Sequence, residues 1–133
     1  MRKDVIVIGG GAAGLFCALT AGQRGRSVLV IEHAEKVGKK ILISGGGRCN
    51  FTNLHTAPEN FICRNPNFHK SALARYTPHD FIALVQRHRI AYHEKKLGQL
   101  FCNESSQQIV RMLLDECERA RAEVRVNCQV LSA

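Results

Sequence analysis

The amino-acid sequence predicts an α/β fold organised on parallel strands, and three observations predict it. Asp4-Val5-Ile6-Val7-Ile8 is an apolar, β-branched run of the kind that suits a parallel strand buried on both faces. It passes into Gly9-Gly10-Gly11-Ala12-Ala13-Gly14 and then into Leu15-Phe16-Cys17-Ala18-Leu19-Thr20-Ala21, which reads as a helix. A second apolar run, Ser27-Val28-Leu29-Val30-Ile31, follows and ends in Glu32. Glycine is concentrated accordingly: seven of eleven copies lie in two short loops, this one and Ser44-Gly45-Gly46-Gly47-Arg48, each directly after an apolar run.

Each part of the first unit has a physical task. Gly9 allows the tight turn out of the strand, Gly11 lets backbone approach a pyrophosphate with no Cβ in the way, and Gly14 lets helix and strand pack closely. The helix N-terminus then offers unpaired N–H groups and the positive end of the helix dipole to phosphate. Gly25 is placed as the cap after the helix, and the next strand ends in Glu32, eighteen residues beyond Gly14. A carboxylate there accepts hydrogen bonds from both ribose hydroxyls of an adenosine and repels a 2′-phosphate. Strand, glycine turn, helix, strand and acid in this order define a Rossmann-like unit for a dinucleotide with an unphosphorylated ribose.

The second glycine loop selects flavin over nicotinamide. Lys39-Lys40-Ile41-Leu42-Ile43-Ser44-Gly45-Gly46-Gly47-Arg48-Cys49-Asn50 follows Glu32 closely, where a plain NAD-binding domain goes into another crossover helix. Successive glycines let main-chain N–H groups line a concave nest for phosphate or flavin oxygens, with Lys39, Lys40 or Arg48 adding charge-assisted bonds. The expected cofactor is FAD.

The stretch Gly38 to Asn53, read with Asn65-Pro66-Asn67-Phe68, Lys70-Ser71-Ala72-Leu73-Ala74-Arg75 and Glu94-Lys95-Lys96-Leu97-Gly98-Gln99-Leu100-Phe101, resembles the YhiN-like, BaiN-type bacterial flavoproteins, also described as aminoacetone oxidase family FAD-binding enzymes. The resemblance covers the whole chain. It implies a flavoprotein of the type with two dinucleotide-binding domains and an inserted domain, noncovalent FAD, and redox chemistry on a substrate it does not specify; NADH or NADPH is a candidate electron donor for the full-length protein. Carried over by position, the FAD contacts are Gly9, Gly11, Ala12, Ala13, Gly14, Glu32, Lys39, Lys40, Ser44, Gly45, Gly46, Gly47, Arg48, Cys49, Asn50 and the backbone near Val130. Many relatives read Gly-Arg-x-Phe-Pro where this chain has Gly98-Gln99-Leu100-Phe101-Cys102, so no role for an arginine or proline transfers to that loop. Members run to several hundred residues; residues 1–133 are therefore expected to be the N-terminal part of an FAD-binding domain, with the rest of that domain and the insert outside this chain.

Further along, Leu54 to Tyr76 shows no sustained period, and its prolines and asparagines predict a long connection with a short helix at Ser71 to Arg75. Thr77-Pro78-His79-Asp80 reads as an N-cap, a first-turn proline and a capping acid leading into Phe81, Leu84, Val85 and His88 at helical spacing. Ser105-Ser106-Gln107-Gln108 similarly opens a helix with an apolar stripe of Ile109, Val110, Leu113, Leu114 and Cys117. Glu123 to Leu131 alternates as a strand does.

Composition narrows the function. The six cysteines are widely spaced without a C-x-x-C pair, and the histidines lack metal-ligand spacing, so reduced thiols and no metal are expected. Cys17 is expected to pack against the sheet, and Cys49 stands beside the flavin loop. No apolar stretch approaches the ~20 residues needed to span a bilayer, which makes a cytoplasmic, non-membrane protein the expectation. The formal charge of +8, with cations and aromatics interleaved between Arg64 and Lys96, suits either a solvated face or a polyanion such as RNA. The leading functional expectation is an FAD-dependent oxidoreductase acting on a small-molecule substrate. Two alternatives stay open: an FAD protein that binds or modifies RNA, and a non-catalytic chain with a protein partner.

Overall fold

The structure, a computed structural model, describes residues 1–132. Strand β1 (Val5–Ile8), helix α1 (Ala12–Gln23) and strand β2 (Val28–Ile31) follow one another as the strand–helix–strand unit requires. A short helix α2 (Lys39–Ile43) runs into a 3-10 turn over Ser44–Gly47 and then strand β3 (Asn50–Asn53). After a long connection come α3 (Lys70–Arg75), α4 (Pro78–Arg87), β4 (Tyr92–Glu94), β5 (Gln99–Cys102), α5 (Gln107–Arg119) and β6 (Glu123–Arg125).

Two sheets organise these elements. The first is parallel in the order β1-β2-β6, with Val5 opposite Val28 and Val30 opposite Val124. Val28 and Val30 are fully buried on the face covered by α1 and α5, against Leu15, Ala18, Met112 and Leu113. Ile6 and Ile8 turn to the opposite face and are 58% and 65% exposed. The expectation of burial on both faces, made for β1, is therefore corrected among the described residues; it is β2 that is buried throughout Val28, Leu29 and Val30.

Helix α1 presents Leu15, Ala18 and Leu19 inward at i, i+3, i+4 spacing, which leaves Cys17 exposed; the expected packing of Cys17 against the sheet is corrected by that helical phase. Gly25 stands just past the helix with φ +77°, a left-handed conformation that glycine adopts without strain. Helix α4 opens as its sequence predicts: the Asp80 N–H donates to Thr77 Oγ1 at 3.3 Å and the Thr77 N–H donates to Asp80 Oδ2 at 2.8 Å. At the start of α5, by contrast, Ser106 does not cap. Its hydroxyl donates to the Leu42 carbonyl at 2.8 Å and its N–H to the Gly47 carbonyl at 2.8 Å, tying α5 to the second glycine loop. The strand expected from Glu123 to Leu131 stops at Arg125, because Asn127 takes φ +52° and turns the chain.

The second sheet, antiparallel in the order β3-β5-β4, is an addition to the sequence reading. The β4–β5 hairpin turns at Leu97 and Gly98, with φ +52° and +78°, the double left-handed pair of a tight hairpin turn. That position normally carries Asn or Asp before Gly, and leucine concealed it.

Helices α1 and α5 cross at Gly22, where an added Cβ would lie 2.5 Å from the Ala120 carbonyl oxygen. This makes Gly22→Ala a signed test. Helix propensity alone favours alanine over glycine by about 1 kcal/mol, whereas forced separation of packed helices costs about 1–3 kcal/mol. Urea denaturation should give a lower midpoint for Gly22→Ala; a raised midpoint would contradict the close crossing.

Candidate functional site

The site forms where the β1–α1 turn meets the end of β2. Gly10, buried at the centre of the turn, donates its N–H to Glu32 Oε2 at 2.8 Å and accepts the Gly38 N–H on its carbonyl at 2.9 Å. Glu32 Oε1 accepts the Ala34 N–H at 2.9 Å. The Glu32 carboxyl is held below the ordinary glutamate value, chiefly by the Ala34 and Gly10 backbone N–H groups. His33 Nδ1 lies 3.1 Å from Oε1, while Oε2 has a second lone-pair direction and so retains capacity to accept from a ribose. The chain after β6 closes the same corner: Cys128 N–H donates to the Glu32 carbonyl at 3.0 Å and Asn127 N–H to that of Ala34 at 2.9 Å.

The glycines of the first turn divide by role. At Gly14 an added Cβ would fall 1.9 Å from the Gly9 carbonyl oxygen, so this residue permits the close approach of helix and strand. Among the described residues nothing lies within 4 Å of such a Cβ at Gly9 or Gly11, leaving open space at the start of α1. Gly10, which the motif leaves unspecified, is also constrained, though by a side chain rather than backbone: its Cβ would meet Val37 Cγ1 at 2.6 Å.

Three cavities adjoin in a trough along this edge. One of about 560 Å³ is bounded by Gly9, Ile31, His33 and Val130. A second, of about 480 Å³, shares His33 with it and adds Gly11, Glu32, Lys39 and Lys40. The third, of about 540 Å³, shares Ala12, Lys40 and Ile41 with the second and extends past Ala13, Ser44, Cys49 and Asn50 to Phe16, Phe51, Tyr76 and Phe81. Their sizes fall in the range of small-molecule and cofactor sites.

The second glycine loop departs from a simple nest. Gly45 takes φ +55°, and a Cβ there would meet Asn50 N and the Phe101 ring at 2.7 Å, so packing within the protein demands it. Gly46 is left-handed at φ +64° with no protein atom near its would-be Cβ, and it is Gly46 that borders open space. The Arg48 and Cys49 N–H groups fold back on the Gly45 and Ser44 carbonyls at 3.3 and 3.1 Å. The Arg48 guanidinium bonds the Asn103 carbonyl, while Lys39, paired with Glu35 at 3.8 Å, and Lys40 both line the trough. Cys49 is buried, with φ +56°, and burial pushes its thiol up from the ordinary value, which suits a packing residue more than a thiolate.

Sequence reasoning missed Gly10, Gly38, His33 and the aromatic wall. Gly38, with φ +69° and the bond to Gly10, carried a signal as the glycine preceding the Lys39-Lys40 pair. Phe16, Phe51, Tyr76 and Phe81 come from separate elements and carried none. Among the described residues no group of three or more His, Cys, Asp or Glu side chains converges as a metal site, and no helix is long and apolar enough to cross a membrane.

A glycine turn that leaves room for phosphate at a helix N-terminus, continuous with a carboxylate at the end of the next parallel strand, makes this a Rossmann-type dinucleotide-binding domain of the flavoprotein kind, with FAD as its cofactor. The chain belongs to the family of the HI0933-like protein Rossmann domain, whose model matches residues 3–133. It is 60% identical over 131 residues to the Ribosomal RNA dihydrouridine synthase of Escherichia coli (strain K12), covering 98% of this chain and 33% of that protein. With the protein of the same description from Haemophilus influenzae, identity is 54% over 96% of this chain and 32% of the relative. The chain thus spans about a third of the length of these relatives. Among solved structures, the 3-ketosteroid-delta4-(5alpha)-dehydrogenase of Rhodococcus jostii RHA1 superimposes with a TM-score of 0.63 at 15% identity, over 94% of this chain and 38% of that one, a likeness of fold.

The linkage at Glu32 has a definite sign. Its folded-state pKa is depressed, so the stability it contributes is complete above the ordinary glutamate value and is lost as pH falls through the lowered one. Glu32→Gln should remove that part of the acid limb of the stability profile. An acid limb identical to wild type would contradict the anchoring role.

Proposed function

We propose that this chain is the FAD-holding N-terminal domain of a flavin-dependent oxidoreductase that reduces uridine in ribosomal RNA. The observation that carries this reading is the 60% identity to the E. coli Ribosomal RNA dihydrouridine synthase across nearly the whole chain, in a domain whose nucleotide trough is open and lined as FAD requires. The YhiN-like, BaiN-type resemblance fits the same family level. A small-molecule substrate is the competing reading.

The residues fit the cofactor, and each has a task the chain itself defines. Glu32 accepts from the adenosine ribose, with Val130 and His33 bounding that end of the trough. Gly11 keeps the turn clear while Ala12 and Ala13 present the first N–H groups of α1 to the pyrophosphate, and Lys40 adds positive charge. Ser44, Cys49 and Asn50 line the flavin end; Gly45 and Arg48 hold that loop in shape, and Gly46 within it faces open space. Reduced flavin, when bound, supplies a hydride, with NADH or NADPH as the proposed source. Saturating the C5–C6 bond of uracil needs that hydride and one proton, and the trough positions the cofactor for it.

The test uses the full-length protein, ribosomal RNA and NADH or NADPH, and reads dihydrouridine by mass as a gain of two hydrogens. Formation of dihydrouridine, lost in the flavin-free variant Gly46→Val, is expected. Flavin reduction without any change in the RNA would overturn the substrate and favour a small molecule. Separately, Glu32→Ala should weaken FAD binding about tenfold to a hundredfold, since a hydrogen bond to a charged group contributes ~1.5–3 kcal/mol. Unchanged FAD affinity would remove Glu32 from the cofactor site.

A further inference from the structure

The connection from Ala57 to Tyr76 is built to present side chains rather than to bury them. Every residue from Glu59 to Phe68 is exposed; Ile62 lies fully in solvent, Phe68 is 81% exposed and Phe61 46%. Yet the segment is braced. His69 Nε2 lies 2.9 Å from the Pro58 carbonyl and its Nδ1 3.5 Å from Cys63 Sγ, Asn60 Oδ1 accepts the Ala57 N–H at 2.8 Å, and Asn65 Oδ1 accepts the Asn67 N–H at 3.0 Å. The Phe61 and His69 rings face each other at 5.0 Å with 30° between their planes. Apolar groups in a hydrogen-bonded loop, turned outward, mark a contact surface.

Charge states what the partner is. Arg64, Lys70 and Arg75 lie on this segment, none makes an ion pair among the described residues, and Glu59 is its one acid. Of the other aromatics in this basic stretch, Phe81 and Tyr92 turn inward onto Phe51, at ring distances of 6.0 and 5.6 Å. The outward set is therefore Phe61, Ile62 and Phe68 among cations. Alternating π-faces and cations suit a polyanion with unstacked bases. The segment ends at Tyr76, which meets Phe16 edge-on at 4.8 Å and lines the apolar cavity that also holds Ala13 and Ser44.

We propose that the 57–76 segment is an RNA-docking arm, stacking unpaired bases of the substrate on Phe61 and Phe68 and holding flanking phosphates with Arg64, Lys70 and Arg75, next to the cofactor trough. The inference rests on the ribosomal RNA reading above and names the surface that reading lacks. A single-stranded loop is the form recognised, because only splayed bases offer their faces for stacking.

The experiment uses full-length protein and compares wild type, Phe61→Ala/Phe68→Ala, Arg64→Glu/Lys70→Glu and the distant charge reversal Arg24→Glu. Filter binding of protein-free ribosomal RNA at two salt concentrations is read beside flavin absorbance and thermal midpoint. The aromatic variant should bind RNA at least about tenfold more weakly at both salts, and the charge variant should flatten the salt dependence by about 0.7 in slope per lost phosphate contact, with flavin retained. Arg24→Glu should bind nearly as wild type. Wild-type RNA affinity in the arm variants overturns the arm and leaves the RNA reading standing. Failure of wild type itself to bind or reduce ribosomal RNA overturns the reading and the arm together. Loss of flavin or a lowered midpoint in the arm variants overturns the proposal in favour of an intramolecular packing surface.

Discussion

The structure depends on one buried anchor, the Glu32 carboxylate held between the Gly10 and Ala34 backbone N–H groups. A carboxylate at the end of a strand is costly to bury unless its oxygens are satisfied, and here two amide donors satisfy them while a face remains toward the trough. The same contacts fix the β1–α1 turn against the end of β2, and Gly38 completes the clasp by bonding the Gly10 carbonyl. What positions the cofactor edge is thus the same group that would recognise the ribose.

The glycines show how differently one residue type is used. Gly14, Gly22 and Gly45 are needed because other parts of the protein occupy the place a Cβ would take. Gly11 faces open space at an ordinary φ of −81°, so a ligand would give its missing side chain a purpose, whereas Gly46 faces open space at a left-handed φ of +64° that itself favours glycine. The second loop is consequently half scaffold and half site: Gly45 and Arg48 fasten it to β3, β5 and the Asn103 backbone, and α5 grips it through Ser106. Rigid backing of this sort lets a short loop hold a defined shape beside a cavity.

The strand–helix–strand unit, its glycine turn and Glu32 were legible in the sequence because each follows from local rules: β-branched runs, tight-turn glycines and an acid at a fixed distance. Helix α4 was legible down to its capping pair, since Thr77 and Asp80 are three residues apart and interact within one turn. The β3-β5-β4 sheet was not. Its strands are short, pair across the chain rather than with a sequence neighbour in every case, and turn at Leu97-Gly98, which carries no asparagine or aspartate to announce a hairpin. Cys17 was misplaced for a related reason, since α1 is apolar over more than one face and only packing against the sheet and α5 selects which face turns inward.

By itself the sequence determined the strand–helix–strand unit, its glycine turn and the acid at the end of β2, because those requirements are met by residues close together in the chain. Tertiary structure alone decided that Val37 packs where a Gly10 side chain would lie, that the Arg48 guanidinium bonds the Asn103 carbonyl, and that Phe81 and Tyr92 belong to the interior while Phe61 and Phe68 face solvent. Each of those outcomes turns on which distant segment comes to lie alongside, and residue spacing holds no record of that.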